Sequence, residues 1–112
     1  MRRGEVPVVG DGGGVWSWVH IDDAAVSTTD TLTVPPGVYH VVDDDLSPVA
    51  VWLPAFARAV GAPPPPRVTV EQALAAAGED AVYYGTRLRG ASNAKAKRVF
   101  GFRPRRLEWL TA

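Results

Sequence analysis

The chain has 112 residues, 46% hydrophobic and 21% charged, enough for one globular domain and too apolar for a disordered chain. It contains no cysteine, which excludes disulfides, thiolate metal sites and cysteine nucleophiles. Net charge is zero but unevenly spread: residues 1–86 carry 4 basic and 11 acidic side chains, residues 87–112 carry 8 and 1.

Met1-Arg2-Arg3-Gly4 is followed by neither the apolar core of a signal peptide nor the roughly 18 apolar residues of a membrane span, so a cytoplasmic protein is expected. Residues 5–9 form a short β-type run. Gly10-Asp11-Gly12-Gly13-Gly14 then supplies a turn, and Val15-Trp16-Ser17-Trp18-Val19-His20-Ile21 alternates β-branched and aromatic residues in the manner of a strand. Asp22 or Asp23 is expected to cap a helix opening on Ala24, Ala25 and Val26. Four threonines between Thr28 and Thr33 weaken that helix, and Pro35-Pro36 ends it. Val38-Tyr39-His40-Val41-Val42 is a near-continuous apolar run that reads as a strand covered on both faces, closed by Asp43-Asp44-Asp45.

Ser47-Pro48 reads as a cap and first helical position. Val49, Trp52, Leu53, Phe56, Ala57 and Val60 follow at helical spacing up to Gly61, and Pro54 is expected to loosen or kink the helix. Pro63 to Pro66 form a stiff connector into Arg67-Val68-Thr69-Val70. Glu71 to Ala77 is helical and interrupted by Gly78. Ser92 is placed to cap a last short helix over residues 93–100, ended by Gly101. The pattern predicts a single α/β domain over residues 1–112, a partial fold of two to four short strands with three or four helices.

The motifs that would carry chemistry are incomplete. The Gly-x-Gly-x-x-Gly dinucleotide fingerprint fails from Gly10, where Val15 holds the third glycine position, and from Gly12, where Ser17 does. A plain turn is the favoured reading of the glycines. His20 with Asp22 and Asp23 lacks a third metal ligand or acid–base partner, and a strand histidine before capping aspartates is favoured. Ser17 and Ser92 have no nucleophile elbow. The Asp43-Asp44-Asp45 run reads as a solvated strand end. The basic segment at residues 87–106 is poor in stacking aromatics, so nucleic acid is disfavoured as a partner, and folding the two halves together would neutralise it.

Four stretches resemble the C-terminal portion of the NAD(P)-dependent epimerase/dehydratase family, the extended short-chain dehydrogenases. They are residues 7–25, from Pro7-Val8-Val9-Gly10 through Trp16-Ser17-Trp18-Val19-His20 to Asp22-Asp23-Ala24-Ala25; Gly37-Val38-Tyr39-His40-Val41-Val42-Asp43-Asp44; Trp52-Leu53 to Gly61-Ala62-Pro63; and Ser92-Asn93-Ala94-Lys95-Ala96-Lys97-Arg98 with Gly101-Phe102-Arg103-Pro104. The resemblance implies the substrate-side part of a Rossmann-type protein, with NAD or NADP held by an N-terminal domain that this chain lacks. It also implies a Tyr-x-x-x-Lys pair that exchanges a proton with substrate during hydride transfer. Four residues after Tyr39, Tyr83 and Tyr84 stand Asp43, Arg87 and Leu88, so the pair is absent, no catalytic or cofactor-binding residue is assigned, and the chain alone is expected to bind no cofactor and to be inactive. Family members acting on nucleotide-linked sugars place a phosphate-binding arginine where this chain has Trp16. A small-molecule substrate other than a nucleotide sugar is therefore expected, with Gly12, Gly13, Trp16, Ser17, Trp18 and Arg89 as the substrate-side candidates. The alternative reading is an interaction module that exposes the half-fold surface and forms homodimers.

Overall fold

The structure, a computed structural model, describes residues 5–106; Met1-Arg2-Arg3-Gly4, read above for a leader, and residues 107–112 lie outside them. It is α/β, with two strands, β1 (Val8–Val9) and β2 (Arg67–Val68), paired in parallel with Val8 opposite Arg67 and Val9 opposite Val68. Four helices accompany them: α1 (Ile21–Asp30), α2 (Val49–Ala59), α3 (Val70–Thr86) and α4 (Ala94–Phe100). The described chain forms two compact units, one from residues 5–16 and 46–90, the other from residues 17–45 and 91–106.

In the first unit, α2 buries Val49, Trp52, Leu53 and Ala57 of the stripe expected from its spacing, leaves Phe56 and Val60 half-buried and buries Ala55 as well, and full burial of a leucine-sized side chain contributes about 1.5–3 kcal/mol. Its start differs from expectation. Pro48, not Ser47, is the N-cap, and no side chain caps the helix. The free amides of Val49 and Ala50 donate instead to the carbonyls of Gly14 and Gly12, at 2.8 and 2.9 Å. A main-chain loop thus does the work of a capping side chain. Pro54 sits inside α2 without dividing it. At the start of α3, Thr69 and Gln72 form a reciprocal capping box, and the helix extends well past the alanine run to Thr86. Gly78 breaks its regularity with φ 87° and ψ −178°, a conformation open essentially to glycine alone.

In the second unit, α1 begins one residue before the expected cap. His20 Nδ1 accepts the Asp22 amide at 3.1 Å, which leaves Asp22 and Asp23 in the first turn, where the helix dipole favours negative charge. Within the helix the hydroxyls of Thr28 and Thr29 bond back to the carbonyls of Ala24 and Ala25, and a 3₁₀ turn over Thr31–Thr33 precedes the prolines. Helix α4 starts at Ala94, with the Ser92 hydroxyl accepting the Ala94 amide at 3.2 Å. It closes on Gly101 at φ 68°, the left-handed position that glycine supplies. Two expected strands do not form among the described residues. Residues 15–21 contribute only isolated bridges at Val15, to Pro48 and Arg89, and residues 38–42 join no ladder. Alternation prepares a segment for a sheet, but a strand exists only where a partner strand lies alongside.

Candidate functional site

The first unit contains a cleft of about 600 Å³, floored by β1 and walled by α2, α3 and Trp16. Helix α3 can lie close to β1 because Gly85 packs against Val9; a methyl group there would stand 3.2 Å from the Val9 Cβ. On the same face, Ala73, Ala76, Ala77 and Ala81 recur at helical spacing and keep the wall low, and Tyr84 closes the row. Trp16 is fixed opposite. Its indole N–H donates to the Tyr84 carbonyl at 2.8 Å, and its ring lies 5.2 Å from that of Trp52, tilted by 54°, and 6.4 Å from that of Tyr84, edge-on at 73°. Such offset and edge-to-face pairs contribute about 0.5–1.5 kcal/mol each beyond burial.

The glycine loop has a constructional role. The amides of Gly10, Gly12 and Gly14 donate to the carbonyls of Val68, Val9 and Gly85, and the Gly13 amide donates to Asp11 Oδ1 at 2.9 Å. These four donors are spent within the chain, so they do not form an anion cradle, and the loop does not fit the pyrophosphate of a nicotinamide cofactor. Gly14 approaches α3 so closely that an added Cβ would overlap the Tyr84 carbonyl oxygen.

Of the sequence candidates, Gly12, Gly13, Trp16 and Arg89 belong to the first unit, and Trp16 lines the cleft. Gly12 is buried beneath Ala50, Gly13 is exposed, and Arg89 is exposed beside the bridge to Val15. Ser17 and Trp18 belong to the second unit. The Ser17 hydroxyl accepts the Ala91 amide at 2.7 Å, and the Trp18 carbonyl accepts the Asp43 amide at 2.6 Å. Sequence reasoning missed Trp52, Tyr84, Gln72 and the alanine face of α3 as cleft residues. The small-residue period through Gly85 was the available signal, but it marks a helix face without naming what lies across from it.

Elsewhere in the second unit, Lys97 and Asn93 both donate to Asp44 Oδ1, at 2.6 and 2.9 Å, and hold its carboxyl below the ordinary carboxylate value, the Asn93 bond counting most. The Arg105 amide and guanidinium bond Asp23, at 2.9 and 3.0 Å, and lower its value chiefly through the amide. Two cations of the basic segment are thereby matched to carboxylates. Among the described residues no group of three or more histidines and carboxylates is placed to hold a metal ion, and no helix is long and apolar enough to cross a membrane.

No family model matches the chain, and no solved structure matches it. In an alignment of 112 positions that takes in 97% of its length, it is 37% identical to a 3-diazoavenalumate denitrifying reductase of Streptomyces sp.. The chain spans 36% of that relative's length. Across nearly all of its residues, then, it is similar to part of a reductase.

Proposed function

We propose that the chain is the substrate-side portion of an NAD(P)-dependent reductase of the epimerase/dehydratase type, and that it neither binds the nicotinamide nor performs hydride transfer by itself. The single observation that carries this reading is the match of almost the whole chain to about a third of a named reductase. Two features of the chain support it. The Tyr-x-x-x-Lys pair is missing, and the amides of the glycine loop are already bonded. On this reading cofactor binding and proton exchange belong to the part of a complete family member outside these residues, and this chain contributes the apolar cleft around Trp16. With Trp16 where nucleotide-sugar enzymes carry arginine, and its ring packed between Trp52 and Tyr84, the substrate is one without a nucleotide. The Streptomyces relative is named for a diazo compound, which fits that expectation.

Grafting tests the reading. Residues 5–106 of this chain would replace the matching third of the Streptomyces reductase, and nicotinamide oxidation would be followed with that enzyme's own substrate. The fusion is expected to turn over where the relative shortened by that third does not. A folded fusion that binds nicotinamide yet oxidises none would contradict the proposal.

The second reading, a stand-alone dimerisation module, draws on Ile21, Leu32 and Val38, which are 79%, 82% and 72% exposed in the second unit. Apolar side chains this open are favoured beneath a covering surface. Sedimentation of the isolated chain separates the two readings: a tight dimer supports the module, a monomer the reductase portion.

A further inference from the structure

Helix α3 is a hairpin of two short arms. A straight helix of its 17 residues would be about 25 Å long. Yet a methyl carbon of Val70, at one end, and the methyl carbon of Thr86, at the other, both lie within 3.7 Å of the place a Cβ on Gly10 would take. Both ends meet the same glycine, so the chain turns back on itself between them. The turn is at Gly78, whose φ of 87° and ψ of −178° divide α3 into arms of residues 70–77 and 79–86. The base of the hairpin is well held. There the Gly14 amide donates to the Gly85 carbonyl at 3.0 Å, the Trp16 indole to the Tyr84 carbonyl at 2.8 Å, and Gly85 rests on Val9. The capping box of Thr69 and Gln72 fixes the first turn, and just before it the Val68 carbonyl accepts the Gly10 amide at 2.9 Å. The tip is held far less. From Leu74 to Asp80 every residue is exposed except Gly78, which is half-buried and whose missing side chain would face open space. Displacing a segment that buries so little costs little, and a glycine without close neighbours absorbs the change in φ and ψ. Ala76, Ala77 and Ala81 lie near this tip and line the cleft, so its position sets the cleft's width.

We propose that the α3 hairpin is a flap on the cleft: its base stays on the glycine loop while the tip around Gly78 swings toward and away from α2, closing and opening the cleft. The motion belongs to the chain itself and requires neither cofactor nor substrate.

The test uses the full 112-residue chain, whose lack of cysteine lets nitroxide labels be placed at will. One pair, Val51→Cys with Glu79→Cys, spans α2 and the tip; the other, Val51→Cys with Arg87→Cys, spans α2 and the base, and all three positions are exposed. Pulsed dipolar spectroscopy is expected to give a broad or two-peaked distance distribution for the tip pair and a single narrow one for the base pair. Gly78→Ala, which disfavours the backbone conformation of the turn, should change the tip distribution and leave the base distribution as it was. Equally narrow distributions, or a Gly78→Ala variant that moves both pairs together or neither, would overturn the proposal. Should a labelled variant fail to fold, amide hydrogen exchange in the unaltered chain decides. Residues 75–81 are expected to exchange at least about tenfold faster than residues 83–86, and equal protection would overturn the flap. A rigid hairpin would leave the substrate-side reading of the chain standing, and a failed graft would leave the flap standing.

Discussion

Asp43 and Asp44 are neighbours in sequence whose carboxyls are driven in opposite directions. Asp43 is 5% exposed; its Oδ1 accepts the Asp45 amide at 2.8 Å, but its buried Oδ2 has no partner among the described residues, and desolvation pushes its carboxyl above the ordinary value. The stability gained by burying Asp43 neutral is fully present below its unfolded value and is lost as pH rises through the folded one. Asp44 has the reverse sign. Its bonds to Asn93 and Lys97 favour the charged form, so their contribution is present above the unfolded value and is lost as pH falls through the depressed folded value. Thermal melts across pH check both. Asp43→Asn should flatten the loss of stability on leaving acid, and Asp44→Asn should be less stable than the unaltered chain at neutral pH but indistinguishable from it in acid. Opposite results would mean that these side chains sit in other surroundings. A third residue, Trp16, is anchored by its indole bond to the Tyr84 carbonyl. Trp16→Phe keeps an aromatic ring but loses both the donor and part of the packing on Trp52 and Tyr84, and chemical denaturation should register a loss of at least about 1 kcal/mol.

At the scale of elements, two glycines set how the first unit is built. Gly78 lies in open space, so a methyl group would meet no atom, yet its backbone conformation is one that other residues avoid. Gly78→Ala should therefore cost about 1–3 kcal/mol in denaturant unfolding through backbone strain alone. Gly14→Ala should cost more, because its Cβ would meet the main chain of Tyr84 and Gly85, which cannot swing aside. If Gly78→Ala proves neutral, the break in α3 is not a constraint of the fold. Helix α2 was legible because its signals are local: apolar period, Gly61 at its end, proline near its start. The capping of α2 by Gly12 and Gly14 was not, since those carbonyls come from residues far away in sequence. The strands expected at residues 15–21 and 38–42 were misjudged for the same reason, because side-chain alternation and an apolar run are local whereas ladder partners are not. Of the site, Trp16 was legible as an aromatic wall. Its neighbours Trp52 and Tyr84 read as part of an ordinary helix face and as a residue ahead of the basic segment, since nothing in their spacing says that they meet Trp16.

At the scale of the whole molecule, few large side chains among the described residues are fully buried, and many apolar ones are exposed. Val8 is the one large side chain below 2% exposure among the described residues, whereas Ile21, Leu32 and Val38 lie open. Open apolar side chains of this kind agree with the proposed reading of the chain as one portion of a larger enzyme. The charge asymmetry of the sequence is partly resolved inside the second unit, where Lys97 meets Asp44 and Arg105 meets Asp23. The central claim is that nicotinamide binding lies outside these residues. Titrating the isolated chain into NADH and into NADPH, with nicotinamide fluorescence as the readout, tests it most directly: the emission should stay unchanged with either cofactor, and saturable micromolar binding of either one would contradict the claim.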